Sequence, residues 1–154
     1  MKSDRLILRF AVVLFATITL FGARQEIVVA QDIPSPEEFF GFEMGTDRKL
    51  ARWDKLVEYY EILGRESDRL TVVNMGQTTL GNPFLALFIS SPDNLARLEA
   101  LRAINAKLSD PRGVPQQEIE QAILDGKVVV VQSMGLHSSE VASSQMAAEL
   151  TYDL

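Results

Sequence analysis

The sequence predicts an α/β fold, and three observations carry that expectation. Leu70–Thr79 and Phe84–Ser90 are Thr/Val-rich and continuously apolar runs, and Leu80-Gly81-Asn82-Pro83 between them is turn chemistry. Apolar residues then recur at helical spacing through two further stretches. Val128-Val129-Val130-Val131 places four β-branched residues in a row, which disfavours helix and suits a strand buried on both faces. Strand, helix, strand, helix implies at least one crossover connection.

The elements follow in chain order. Residues 31–46 read as an irregular arm, with Pro34 and Pro36 ahead of Phe39, Phe40 and Phe42. Asp47–Leu63 reads as a helix, because Leu50, Trp53, Val57 and Tyr60 share a face and Gly64 follows as a stop. Trp53, Tyr59 and Tyr60 are expected in the core. The two runs at 70–79 and 84–90 form an antiparallel hairpin. Ser91 and Pro92 then open a helix as N-cap and first residue. Leu95, Leu98, Leu101, Ile104 and Leu108 line one side of it. Asp110-Pro111-Arg112-Gly113 is a turn, and Pro115–Asp125 is a second short helix closed by Gly126. The valine strand ends near Met134-Gly135. Residues 140–154 turn helical again, with Ala142, Met146 and Leu150 on one side. The chain stops at Tyr152-Asp153-Leu154 without Gly, Pro or a basic last turn, so it is expected to be the front piece of a longer protein.

Composition narrows the function. The chain has 154 residues, 47% of them hydrophobic and 23% charged, which fits one globular domain rather than a disordered chain. A formal charge of −6 argues against a nucleic-acid partner. The absence of cysteine excludes a disulfide scaffold, Cys-ligated zinc and a thiol nucleophile. The single histidine, His137, excludes a site built within one chain from two imidazoles.

Residues 1–30 read as a secretory signal peptide. Lys2, Arg5 and Arg9 make a basic start, and Phe10–Ala23 is an apolar stretch of 14 residues. That length falls short of the roughly 20 residues a membrane span needs and suits a signal core. Val28 and Ala30 place cleavage before Gln31, with no stable membrane insertion afterwards. The segment carries Lys2, Arg5, Arg9 and Arg24 against Asp4 and Glu26, so its removal takes the charge from −6 to −8. The expected locations are the periplasm or the cell exterior. The expected domain boundaries are 1–30 for the signal, 31–46 for the arm and 47–154 for the domain.

The chemistry collects where the buried strand is expected to end. Ligands of open α/β sheets bind beyond the carboxyl ends of the strands. His137 sits three residues past that end, and Glu140 lies three further on. Imidazole nitrogen and carboxylate oxygen are both zinc donors. With His137 on the turn and Glu140 opening the helix, three-residue spacing can aim both at one ion. Gly135 permits a sharp turn there, and Ser138 or Ser139 is placed to cap the helix. Spacing alone leaves a satisfied or exposed histidine as the alternative.

The stretch VVVVQSMGLHSSEVASSQMAAEL resembles the zinc-binding strand, turn and helix of zinc carboxypeptidases of the carboxypeptidase A type. The helix with Trp53 and Tyr60, the strand at Val72-Val73 and the hairpin GQTTLGNP at 76–83 are similar to the opening of that family. The EFFGFEMG arm and the HSSEVASSQM turn are closest to its large exported bacterial members. The resemblance runs from about Pro34 to Leu154. It implies the N-terminal portion of a mixed-sheet domain: hairpin, crossover helices, a buried strand ending in the His-x-x-Glu turn, and a following helix. It implies Zn2+ as cofactor, His137 and Glu140 as two of three protein ligands, and a peptide or protein substrate cleaved by metal-assisted hydrolysis. The third ligand, a general-base glutamate and a carboxylate-binding arginine are expected downstream of this chain. No catalytic residue is therefore assigned within it, and the 154 residues alone are expected to be inactive.

Two other readings share the motif. N-acyl amino acid deacylases look similar around the same His-x-x-Glu, although the exported arm favours the peptidase. Some exported carboxypeptidase-like domains have lost zinc and act as binding modules. Ser133, Ser138 and Ser139 lie near His137, but no G-x-S-x-G elbow surrounds them, and no GxGxxG or P-loop is present. The charges at Arg97, Glu99, Arg102 and Lys107 read as a solvated helix face.

Overall fold

A computed structural model describes residues 33–137 and 139–154. Residues 1–30, read from the sequence as a signal peptide, lie outside the described residues. Six helices and one two-stranded antiparallel sheet are present among those described, so the chain is mixed α/β.

The arm contains a short helix, α1 (Pro36–Phe40), that the reading of 31–46 as irregular missed. A reciprocal capping box opens it. Ser35 Oγ accepts from the Glu38 amide at 3.3 Å, and the Glu38 carboxylate accepts from the Ser35 amide at 2.8 Å. The Ser35 amide and the Ser35 hydroxyl, which also donates to that carboxylate at 2.9 Å, hold the Glu38 carboxyl below its usual range. Gly41, at φ +73°, ends the helix. The arm packs on the domain: the rings of Phe39 and Phe40 sit 5.0 and 5.6 Å from that of Tyr59. The Tyr59 hydroxyl donates to the Pro34 carbonyl at 2.9 Å.

Helix α2 (Trp53–Glu66) buries Leu56, Tyr59, Tyr60 and Leu63, which recur at the helical period. It starts six residues later than expected, because residues 45–49 are tied elsewhere. Gly45 N–H donates to Gln145 Oε1 at 2.7 Å, and the Lys49 carbonyl accepts from Gln145 Nε2 at 3.2 Å. Trp53 lies at the exposed start of the helix rather than in the core. Gly64 does not stop the helix. A Cβ there would stand 2.8 Å from Val72 Cγ2, so glycine serves to let the following strand approach closely.

The hairpin forms as read. Strands β1 (Leu70–Gln77) and β2 (Pro83–Ile89) pair antiparallel, with Leu70 opposite Ile89 and Val72 opposite Leu87. The register is broken between Asn74 and Gln77, and Gly81 turns the chain at φ +78°. Val72, Leu85, Leu87 and Ile89 pack on the core formed by Ala51, Leu56, Tyr59, Tyr60, Leu63, Leu70 and Ala148. Phe84 and Phe88 face outward and stay exposed.

The single helix expected after Ser91 is two: α3 (Pro92–Leu95) and α4 (Leu98–Ser109). The break falls at Ala96-Arg97, where Arg97 N–H turns back to the Asn94 carbonyl at 3.1 Å. Helix α5 (Gln116–Asp125) follows the predicted turn and packs on α4. Leu101 and Ala122 are buried there, outside the main core cluster.

The valine run is the chief correction. Residues 127–134 form no strand, and Val128–Val131 are 65–93% exposed instead of buried on both faces. β-branching sets the local backbone preference, but a strand exists only where neighbouring backbone pairs with it. The described sheet ends at two strands and does not pair with this segment, so no strand-to-strand crossover is completed.

Helix α6 (Val141–Asp153) closes the described chain. Its buried residues are Gln145 and Ala148, whereas Met146 is about half exposed. The expected Ala142–Met146–Leu150 face is therefore displaced by roughly one residue position. Gln145 turns inward because both ends of its amide find backbone partners at Gly45 and Lys49.

Candidate metal site

The turn from Gly135 to Glu140 is held by backbone and hydroxyl groups before any ligand is considered. Gly135 adopts φ +68°, and a Cβ there would come within 2.9 Å of Ser144 Oγ. Its N–H donates to Ser143 Oγ at 2.9 Å, and that hydroxyl donates to the Glu140 carbonyl at 2.7 Å. Glu140 N–H donates to the His137 carbonyl at 3.0 Å, which closes the turn. Glu140 is the N-cap residue of α6, and Ser139 makes no capping bond. Ser138, the other expected cap, lies outside the described residues; among those described, the serine that fixes the turn is Ser143, inside the helix.

The turn brings the two sequence-assigned residues together. His137 Nδ1 lies 2.6 Å from Glu140 Oε1, and His137 N–H donates to Glu140 Oε2 at 3.2 Å. The side chains are 67% and 48% exposed, so the pair faces solvent. With the carboxylate ionised, the Nδ1 hydrogen is donated to it, and Nε2 carries the free lone pair. A carboxylate that orients an imidazole in this way is a common support for a metal ligand or a base. Direct ligation of one ion by both residues requires their mutual hydrogen bond to open, after which the ring offers Nε2, or Nδ1 once that nitrogen has lost its proton.

Imidazole nitrogen with carboxylate oxygen is a donor set that zinc accepts. A catalytic zinc site has three protein ligands, and no cluster of three His, Cys, Asp or Glu side chains suited to a metal occurs among the described residues. The donor chemistry fits two-thirds of such a site. The cavity of about 250 Å³ lies elsewhere, lined by Ile33, Leu63, Arg69, Ile89 and Tyr152 among others, and neither His137 nor Glu140 borders it.

No family model matches this chain, and no curated protein or solved structure matches it. No helix among the described residues is long and apolar enough to cross a membrane.

Proposed function

We propose that this chain is part of an exported zinc carboxypeptidase-like domain in which His137 and Glu140 are metal ligands and the substrate is a peptide or protein. The observation that carries the reading is the His137–Glu140 pair, 2.6 Å apart on a closed turn at the start of α6. The resemblance of the surrounding sequence to the carboxypeptidase A type supplies the reaction class. The chemistry that zinc supplies in such a site is polarisation of a carbonyl and generation of a nucleophile from water near neutral pH.

The chain's own residues hold and orient. His137 contributes an imidazole nitrogen, and Glu140 contributes a carboxylate. Gly135 and Ser143 fix the turn that presents them. With two ligands the site binds metal weakly, and the 154 residues alone do not hydrolyse peptides at a measurable rate. Export follows from the basic, apolar and small-residue order of residues 1–30, with cleavage before Gln31.

Zinc titration by calorimetry, with a chromophoric chelator as competitor, tests the reading. The expected result is one ion per chain, with binding lost in His137→Ala and weakened at least tenfold in Glu140→Gln. Far-ultraviolet circular dichroism should stay unchanged, because both side chains are exposed. Zinc binding that is absent at millimolar concentration, or indifferent to His137→Ala, overturns the assignment and favours the exported binding module.

A further inference from the structure

The turn that carries His137 and Glu140 is bonded to itself. Its hydrogen bonds run from Gly135 N–H to Ser143 Oγ, from that hydroxyl to the Glu140 carbonyl, and from Glu140 N–H to the His137 carbonyl. They close within residues 135–143, so they fix the shape of the turn and not its place on the domain. Its place comes through α6, into which Ser143 locks the turn. The first buried residue of α6 is Gln145, at 4% exposure and about 7 Å along the helix axis from Glu140. It is the one buried polar side chain among the described residues, and its amide is bonded at both ends, to Gly45 N–H at 2.7 Å and to the Lys49 carbonyl at 3.2 Å. The loop is bent to offer both groups to one side chain. Lys49 N–H closes a turn on the Thr46 carbonyl at 3.2 Å. Arg48, inside that turn at φ +59°, is the one residue other than glycine in left-handed backbone among those described. Its side chain is 92% exposed and pairs with an equally exposed Asp47, so side-chain packing does not hold this strain.

We propose that the Gly45–Lys49 loop, acting through Gln145, positions the His137–Glu140 pair on the domain. Gln145 touches neither residue of the pair and is a positioning residue. The consequence for metal binding rests on the metal assignment proposed above, whereas the coupling itself rests on the hydrogen bonds. Ligands bind an ion well when their supports hold them to within about 0.5 Å. Without the Gln145 amide, the start of α6 keeps its internal bonds but loses its polar tie to the loop, and the pair shifts with it. Metal affinity then falls although both ligands are intact.

Zinc affinity and amide exchange, measured together on the 154-residue chain, test the coupling. Each variant is studied where circular dichroism shows it fully folded. Gln145→Met keeps the length of the side chain and removes both bonds, and Gln145→Ala is its truncated companion. Gly64→Ala strains the core at Val72, leaves the loop and α6 unaltered, and controls for lost stability. Both Gln145 variants should weaken zinc binding roughly tenfold, the low end for residues that orient metal ligands. The Gly135 and Glu140 amides should exchange faster along with that of Gly45, and Gly64→Ala should change none of these. If the unaltered chain takes up no zinc while the Gly135 and Glu140 amides still quicken in Gln145→Met, the metal assignment falls and the positioning role stands. Faster exchange at Gly45 alone, an unchanged affinity in a chain that does bind zinc, or an equal effect from Gly64→Ala overturns the proposal.

Discussion

Gln145→Ala removes the buried polar side chain that ties the Gly45–Lys49 loop to α6. Two hydrogen bonds are lost, at 2.7 and 3.2 Å, each with a net contribution of about 0.5–1.5 kcal/mol. The deleted methylene adds about 1 kcal/mol of lost burial. The expected destabilisation is about 2–4 kcal/mol, a large share of the roughly 5–15 kcal/mol that holds a domain together. Urea unfolding reads it directly, and Trp53, the only tryptophan, reports from the start of α2 just after the loop. Amide exchange adds a local readout, since the Gly45 amide should lose its protection selectively.

Gln145→Glu sharpens the test. It keeps an acceptor for Gly45 but turns an oxygen toward the Lys49 carbonyl. Burial and that carbonyl raise the folded-state pKa of the new carboxyl above its unfolded value. Stability is then fully present below about pH 4 and lost as pH rises through the raised folded value. A cost below about 0.5 kcal/mol for Gln145→Ala, or a Gln145→Glu deficit that does not shrink in acid, would refute the reasoning.

Two further perturbations follow from the core. Burial pushes the Tyr60 phenol up to about 12 and raises Tyr59 as well, with smaller contributions from Tyr152 and Glu149. The unfolded phenol titrates near 10, so this stability is intact below about pH 10 and falls as pH climbs toward 12, by about 1.4 kcal/mol per pH unit per tyrosine. Phenolate absorbance of these two residues should appear together with unfolding, and its appearance in the folded chain near pH 10 would contradict their burial. Gly64→Ala should cost about 1–3 kcal/mol despite the roughly 1 kcal/mol helix gain, because the new methyl meets Val72 at 2.8 Å. Adding Val72→Ala should recover part of that loss in a double-mutant cycle, and strict additivity would show that the two do not meet.

The candidate site was legible in sequence because its parts are local. His137 and Glu140 are three residues apart, and a turn before a helix brings them together without distant help. The clasp of Gly135 and Ser143 was less legible, because serine caps are expected ahead of a helix and this one reaches back from inside it. The helix α1 was signalled in full by Ser35, Pro36 and Glu38, a capping box inside a stretch whose prolines masked it. The break at Ala96-Arg97 carried no such punctuation, since alanine and arginine are both good helix formers.

The sequence by itself determined what depends on a few neighbouring residues: the hairpin and its turn, the helix periods and the His-x-x-Glu turn. Local sterics and side-chain spacing act within about one helical turn or one strand pair. Tertiary structure decided what is buried. It carried α2 through Gly64 because Val72 presses there, turned Gln145 inward because Gly45 and Lys49 received its amide, and left Val128–Val131 in water because no described strand lies beside them. Burial belongs to pairs of surfaces, so a pattern in one segment states a preference and its partner determines whether that preference is met.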